Sequence, residues 1–244
     1  MREPRTTPMT AVTIDTLEIA DDPARWAALG FAIDGGECAI GSVRVRFTGA
    51  AAARPPAGIA GWSLRGALGT QLDGLATELS GSPQPPAPAP AHPNGVVSID
   101  HIVAATPAFE RSIAALRAAG LDLRRVREEP TPAGAPRQAF FRLGGEILEL
   151  IEEPPELVAR NGGPERPARF WGLALAVEDL ERTVAMLGER VSEARPAVQA
   201  GRRIASVRRS AGLAVALALM SARPQAAGSA AAAGAEGSPQ AVRA

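Results

Sequence analysis

Apolar and polar residues alternate along much of this 244-residue chain in short period-two runs, the pattern of strands that bury one face. Three segments repeat one succession of runs. The first opens with VTIDTLEIA (12–20), passes through a short helical DDPARWAALG, and continues with AIDGGECAI, SVRVRFTG and GIAGWSLRG. The second opens with VSIDHIVAA (97–105), followed by helical TPAFERSIAALRAAG and then LDLRRVREE, RQAFFRLGG and EILELIEE. In the third, RFWGLALAV (169–177) precedes EDLERTVAMLGERV, with further strand candidates at RRIASVRR and LAVALALMS. The shared order is β-α-β-β-β.

The helical runs carry their own signature. Phe109, Ile113 and Leu116 fall at i, i+4 and i+7, as do Leu180, Val184 and Leu187, so each helix presents one apolar stripe to a sheet. Thr106 is placed as an N-cap, with Pro107 at the first helical position. A sheet covered by helices on one face leaves its other face free to curve around a ligand. The fold class expected is α+β: repeated βαβββ modules, two of them paired into a curved mixed sheet with helices on the outer face.

Composition divides the chain further. Residues 81–96, GSPQPPAPAPAHPNGV, are a proline-rich linker, and 222–244, without large apolar side chains, predict a disordered tail. The linker separates a degenerate N-terminal βαβββ-like module (11–80) from a paired-module domain (97–221). Twenty-six basic residues balance 26 acidic ones, so no net field draws the chain to nucleic acid or to an anionic membrane. All the basic residues are arginine, a preference that resembles the coding bias of a GC-rich bacterial genome, so the missing lysines are not read as mechanism. One cysteine, Cys38, rules out an intramolecular disulfide and a cysteine-rich zinc module. The opening MREPRTTPMT lacks the apolar core of a signal peptide, and no run of about 18 apolar residues occurs, so a cytoplasmic protein is expected.

The candidate chemistry lies in Ile99-Asp100-His101-Ile102-Val103, in the helix that follows, and in Gly144-Gly145-Glu146-Ile147-Leu148-Glu149-Leu150. This arrangement resembles the vicinal oxygen chelate superfamily, which includes glyoxalase I, bleomycin-resistance proteins and extradiol dioxygenases. The resemblance covers about 97–221 well and 12–67 more faintly. It implies paired βαβββ modules curved around a cup, with a divalent metal (Zn, Ni, Mn, Fe or Co) held from the first and last strands of each module. It places His101 at the first-strand ligand position and Glu149 at the last-strand one, Glu149 also being the candidate catalytic acid–base group. Two counterparts in the third segment lack donor side chains, Gly172 opposite His101 and about Ala216 opposite Glu149, and in the first segment Thr16 stands opposite His101. One chain thus supplies half a ligand set.

The remaining residues divide between site and scaffold. Trp171, Arg137 and Phe141 are candidate ligand contacts, and Arg142, Arg202, Arg203, Arg208 and Arg209 a possible anion-binding mouth, against ordinary surface charge and core packing. His92, in the linker, reads as a solvated bystander, and Cys38 as a structural thiol. Three functions remain open. One is a protein binding a small apolar or anionic metabolite with a reduced or absent metal site. Another is a metal-dependent lyase, isomerase or dioxygenase using His101 and Glu149. The third is a structural module whose extra unit supports self-association; that unit is expected either to pack beside the other two or to meet its counterpart in a homodimer.

Overall fold

The period-two runs become the strands of two sheets. The computed structural model describes residues 11–49, 58–83, 85, 90–131 and 134–222. The expected tail from 223 onward, and residues 84 and 86–89 of the proline-rich stretch, lie outside the described residues.

The first sheet comprises β1 (Thr13–Ala20), β2 (Glu37–Ile40), β3 (Val43–Phe47), β4 (Gly58–Arg65) and β5 (Thr77–Leu79), in the order β2-β3-β1-β4-β5. Helix α1 (Pro23–Ala28) follows β1; Asp22 caps it by accepting from the Ala24 amide, Pro23 pre-sets its first turn, and Trp26 is buried beneath it. The second sheet contains β6 (Val96–Thr106), β7 (Asp122–Arg127), β8 (Gln138–Leu143), β9 (Glu146–Glu152), β10 (Arg169–Val177), β11 (Arg195–Pro196), β12 (Arg203–Ser206) and β13 (Ala216–Ser221). Their order is β11-β12-β13-β10-β6-β9-β8-β7, with α2 (Phe109–Ala118), α3 (Pro155–Arg160) and α4 (Leu180–Leu187) in the connections.

The second sheet consists of two copies of one topology. β6 runs parallel to β9, β9 antiparallel to β8 and β8 antiparallel to β7; β10 bears the same relations to β13, β12 and β11. The two first strands, β6 and β10, join antiparallel at the centre. The stripes Phe109–Ile113–Leu116 and Leu180–Leu187 are buried as their spacing predicts, and Val184 packs partly buried against the same core. The start of α2 differs from the expectation. Thr106 belongs to β6, and its hydroxyl accepts from the Ala108 amide and bonds Ser112, so it acts from two residues before the N-cap position, Ala108.

The first sheet follows the same plan with strands removed. β1 runs parallel to β3 and antiparallel to β4, and β4 runs parallel to β5. The run GIAGWSLRG therefore does not close the first module. It lies on the other side of β1, as β10 lies beside β6, and opens a reduced partner module. The two sheets share one apolar core: the Trp62 and Phe170 rings meet edge to face at 5.0 Å, Asn94 Nδ2 donates to Leu29 O (3.0 Å), and Ser42 Oγ donates to Glu146 Oε1 (2.7 Å). Asp73, at φ 50°, takes two hydrogen bonds from the Arg111 guanidinium and one from Ser112, while a Cβ on Gly74 would come within 2.2 Å of Pro167. Glycine is the residue that fits this approach.

His92 corrects an expectation. It is 6% exposed rather than solvated: its Nδ1 accepts from the Ala32 amide (3.1 Å), so Nε2 carries the proton and donates to Ala39 O (3.0 Å), and the ring meets Phe31 edge-on. The end of the proline-rich stretch is thereby pinned to the first sheet. Cys38 is buried, which pushes its thiol up to about 12 and suits a structural role. Among the described residues, no helix is long and apolar enough to cross a membrane.

Two outcomes follow for stability. Trp62→Ala removes a fully buried indole at the junction of the sheets and is expected to cost about 3–5 kcal/mol; urea unfolding followed by fluorescence and by circular dichroism should shift together, because the core is shared. Burial lowers the proton affinity of His92 below the ordinary histidine value, partly opposed by its bond to Ala39. The unfolded ring takes up a proton near pH ~6.5 and the folded ring resists it, so stability falls as pH drops through that value. His92→Gln, which keeps a donor and an acceptor, should show a shallower loss of urea midpoint between neutral and mildly acidic pH.

Candidate functional site

Strict strand alternation would send Asp100 and His101 to opposite faces of β6. The register with β10 skips Asp100, since Ala174 pairs with His101 and Leu175 with Ile99. This bulge re-aims the chain so that both side chains enter one cavity. Glu149 reaches the same cavity from β9, where Ile147, Glu149 and Ile151 share the half-buried face and Leu148 and Leu150 fill the core behind it. The cavity measures about 460 Å³. At its bottom lie Asp100, His101, Glu149 and the buried Arg202; Phe140 and Ile147 form a wall, and the exposed Arg124, Arg125 and Gln199 form the rim.

The buried groups form a chain of contacts. Arg202 Nη1 donates to Asp100 Oδ1 at 2.8 Å, and Arg202 Nε and Nη2 both donate to Ser221 O, tying the end of β13 to β6. Asp100 Oδ2 lies 2.9 Å from His101 Nδ1. Burial alone would raise the Asp100 carboxyl, but the bond to His101 and the charge of Arg202 outweigh it and bring the group down to about 2. A carboxylate only accepts, so Nδ1 carries a proton and Nε2 faces Glu149 Oε2 at 3.4 Å. The Gln138 amide donates to Glu149 Oε1, while Gln138 Oε1 is buried with no hydrogen-bond partner among the described residues.

The two atoms converge on one point of the cup, where a divalent cation would meet a nitrogen and an oxygen donor together. His101 and Glu149 are the residues that would hold such a cation, through Nε2 and Oε2. Asp100 behind Nδ1 is the carboxylate support that metal-binding histidines commonly have. The opposite half of the cup supplies no such donors. Register equates Gly172 with His101 and Ala218, rather than Ala216, with Glu149, because Val103 pairs with Glu149 and its counterpart Ala174 with Ala218. A Cβ at Gly172 would come within 2.7 Å of Ala216 O, so that ligand position is closed by backbone. Among the described residues, no group of three or more His, Cys, Asp or Glu side chains could hold a metal. The residues present fit half of a metal site.

Topology and site geometry together define the architecture: paired βαβββ modules, curved around a cup, with the His–Glu pair on the first and last strands of one module. Comparison with solved structures agrees. A xylose isomerase-like TIM barrel/4-hydroxyphenylpyruvate dioxygenase fusion protein superposes with a TM-score of 0.58 over 95% of this chain at 16% identity. The chain has the vicinal oxygen chelate fold. It spans 53% of that fusion protein. Two shorter structures each match 54% of this chain: methylmalonyl-CoA epimerase from Mycobacterium tuberculosis (TM-score 0.43, 21% identity, 91% of that chain) and a hypothetical protein from Bacillus halodurans C-125 (0.43, 20%, 98%). No protein-family profile and no curated protein matches the sequence.

Of the residues singled out from sequence, the fold brings His101, Glu149 and Arg202 to the cup and places Phe141, Arg137, Trp171, Arg203 and Arg208 outside it. Phe141 is fully buried in the core, and its neighbour Phe140 lines the cup. Arg137 pairs with Glu152 (2.8 Å) and Glu110 (2.7 Å) and covers the Phe109 ring, outside the cavity. Trp171 is the extra residue of a second bulge in β10, 50% exposed and not part of the lining. Arg203 pairs with Glu181, and Arg208 Nε donates to Val191 O. Asp100, Gln138, Arg124, Arg125 and Gln199 carry no sequence signal of their own. The two strand neighbours reach the cup only through bulges that alternation conceals.

Arg202→Met would leave the Asp100 carboxylate buried without its cation and should cost about 3–5 kcal/mol in chemical denaturation. Adding Asp100→Leu should recover much of that loss, because the double variant removes both charges.

Proposed function

We propose that this chain binds a small metabolite in its cup and uses a reduced metal site, or none, to do so. The observation that carries this reading is the asymmetry of the cup. One half presents His101 and Glu149 to a cavity of about 460 Å³ walled by Phe140 and Ile147, and the other half presents glycine and alanine. A cavity of this size suits a ligand of ordinary metabolite dimensions, with an apolar wall for its body and a few polar groups to orient it.

The chemistry available is proton handling. Asp100 holds the His101 ring with Nε2 directed at Glu149, so a ligand bearing an acidic hydrogen or a hydroxyl would meet a nitrogen and a carboxylate side by side. Gln138 orients that carboxylate. The 3.4 Å spacing of Nε2 and Oε2 favours a second reading, a divalent-metal enzyme in which His101 and Glu149 hold the ion and the ligand itself completes the coordination. The metal would polarise a bound oxygen, and Glu149 would be the acid–base group of the chain.

Metal analysis of protein purified without chelator separates the two. Under the binding reading, metal is sub-stoichiometric, and isothermal titration with Zn²⁺ or Mn²⁺ gives weak binding that His101→Ala and Glu149→Ala each abolish. A stoichiometric metal that survives dialysis and is lost in His101→Ala would overturn it in favour of the enzyme.

A further inference from the structure

Building on the cup as the ligand site, we propose that it selects an anion: a small molecule bearing a carboxylate or phosphate, whose charged group is taken by Arg125 with Arg124 beside it. The placement of these two arginines is constructed. In the β7–β8 pairing, Leu123 opposes Phe141 and Arg125 opposes Phe140, so Arg124 is an extra residue. Without that bulge, alternation would turn adjacent residues to opposite faces; with it, both line the cavity.

Arg125 is also the cation of this cavity whose charge is not already committed. Arg202 is spent on Asp100 and Ser221 O, and Arg124 lies 3.2 Å from Asp122 at the surface. Among the described residues, no carboxylate lies within ion-pair distance of Arg125. Its guanidinium lies over the Phe140 ring instead, 5.1 Å from the centroid. A guanidinium held over an aromatic face keeps N–H groups for an oxyanion, which it matches with two parallel hydrogen bonds. With Asp100 neutralised by Arg202, the lining presents two arginines against the single carboxylate of Glu149.

Register also sets a length. Phe140 is the partner of Arg125 across β7–β8 and of Glu149 across β8–β9, so anion and acid–base ends lie two strand spacings apart, about 10 Å. One substituted ring, lying along Phe140 and Ile147, spans that distance. The ligand class is therefore an aromatic or similarly flat anion, with its charge at the rim and its reactive or hydrogen-bonding end over His101 and Glu149.

The test is calorimetric titration and thermal shift with phenylacetate, phenyl phosphate and the neutral phenylacetamide at millimolar concentration. Wild type, Arg125→Gln, Phe140→Ala and Glu149→Gln are compared, each first checked for an unchanged circular dichroism spectrum. The expected result is that at least one anion binds wild type about 10- to 100-fold more tightly than the amide, and that Arg125→Gln removes this preference while leaving amide binding unchanged. Which anion binds better distinguishes carboxylate from phosphate. Equal binding of anions and amide, or anion binding unaffected by Arg125→Gln, while Phe140→Ala or Glu149→Gln weakens all probes, overturns anion selection and leaves the cup as a ligand site. No binding of any probe to folded wild type overturns both.

Discussion

The ion pair between Asp100 and Arg202 holds the two halves of the second sheet in the relation that the cup requires. Both side chains are almost wholly buried, one on the first strand of the first module and the other just before β12 of the second. Taking two charges out of water costs several kcal/mol each, which close geometry and added hydrogen bonds must offset. Here Ser221 O accepts two of the guanidinium N–H bonds, and His101 takes up the second carboxylate oxygen. The pair therefore does more than join strands. It fixes the carboxylate that fixes the imidazole, so the orientation of His101 is transmitted from the opposite module.

The first sheet repeats this arrangement without the histidine. Its β1–β4 register skips Asp15, as the β6–β10 register skips Asp100, and Asp15 is bonded by Arg65 and Ser80. Thr16 occupies the place of His101, and Arg46, engaged by Glu37 and Glu18, that of Glu149. The bulge with its acid–arginine pair is common to both sheets, while the groups able to hold a metal or move a proton occur in one. A bulged strand twists more strongly, and curvature at the centre of each sheet is what such a cup needs. The shared device is thus read as architecture, and the His101–Glu149 pair as a feature of the second sheet alone among the described residues.

How much of this was legible from the residues depended on whether the signal was periodic. The helices declared themselves through Phe109–Ile113–Leu116 and Leu180–Leu187, and the βαβββ order through strand runs that hydrophobic alternation marks well. Glu149 was visible as an acid among apolar strand residues. Asp100, Arg124 and Arg125 were hidden because a single skipped pairing reverses the face that alternation assigns, and no residue type announces a bulge in advance. GIAGWSLRG had the composition of a strand but carried nothing to say which side of β1 it would join. Arg137 and Phe141 have the right chemistry for a pocket; pairing with Glu152 and packing in the core decided their places. His92 lay in a stretch whose prolines suggested open chain, and its burial depends on two backbone groups far away in sequence, Ala32 and Ala39.

The close approach at Gly172 sets a limit on how this site could change. The neighbouring carbonyl oxygen of Ala216 lies 2.7 Å from where a Cβ would stand, and Gly61 makes a looser approach to Ala76 O in the first sheet, at 3.1 Å. A histidine could therefore not be installed there by one substitution without spreading β10 from β13. Ala218, a half-buried alanine in register with the position of Glu149, carries no such obstruction from the Gly172 contact. Any route from a two-donor hollow to a fuller coordination shell, in the laboratory or over generations, runs through the last strand of the second module before its first.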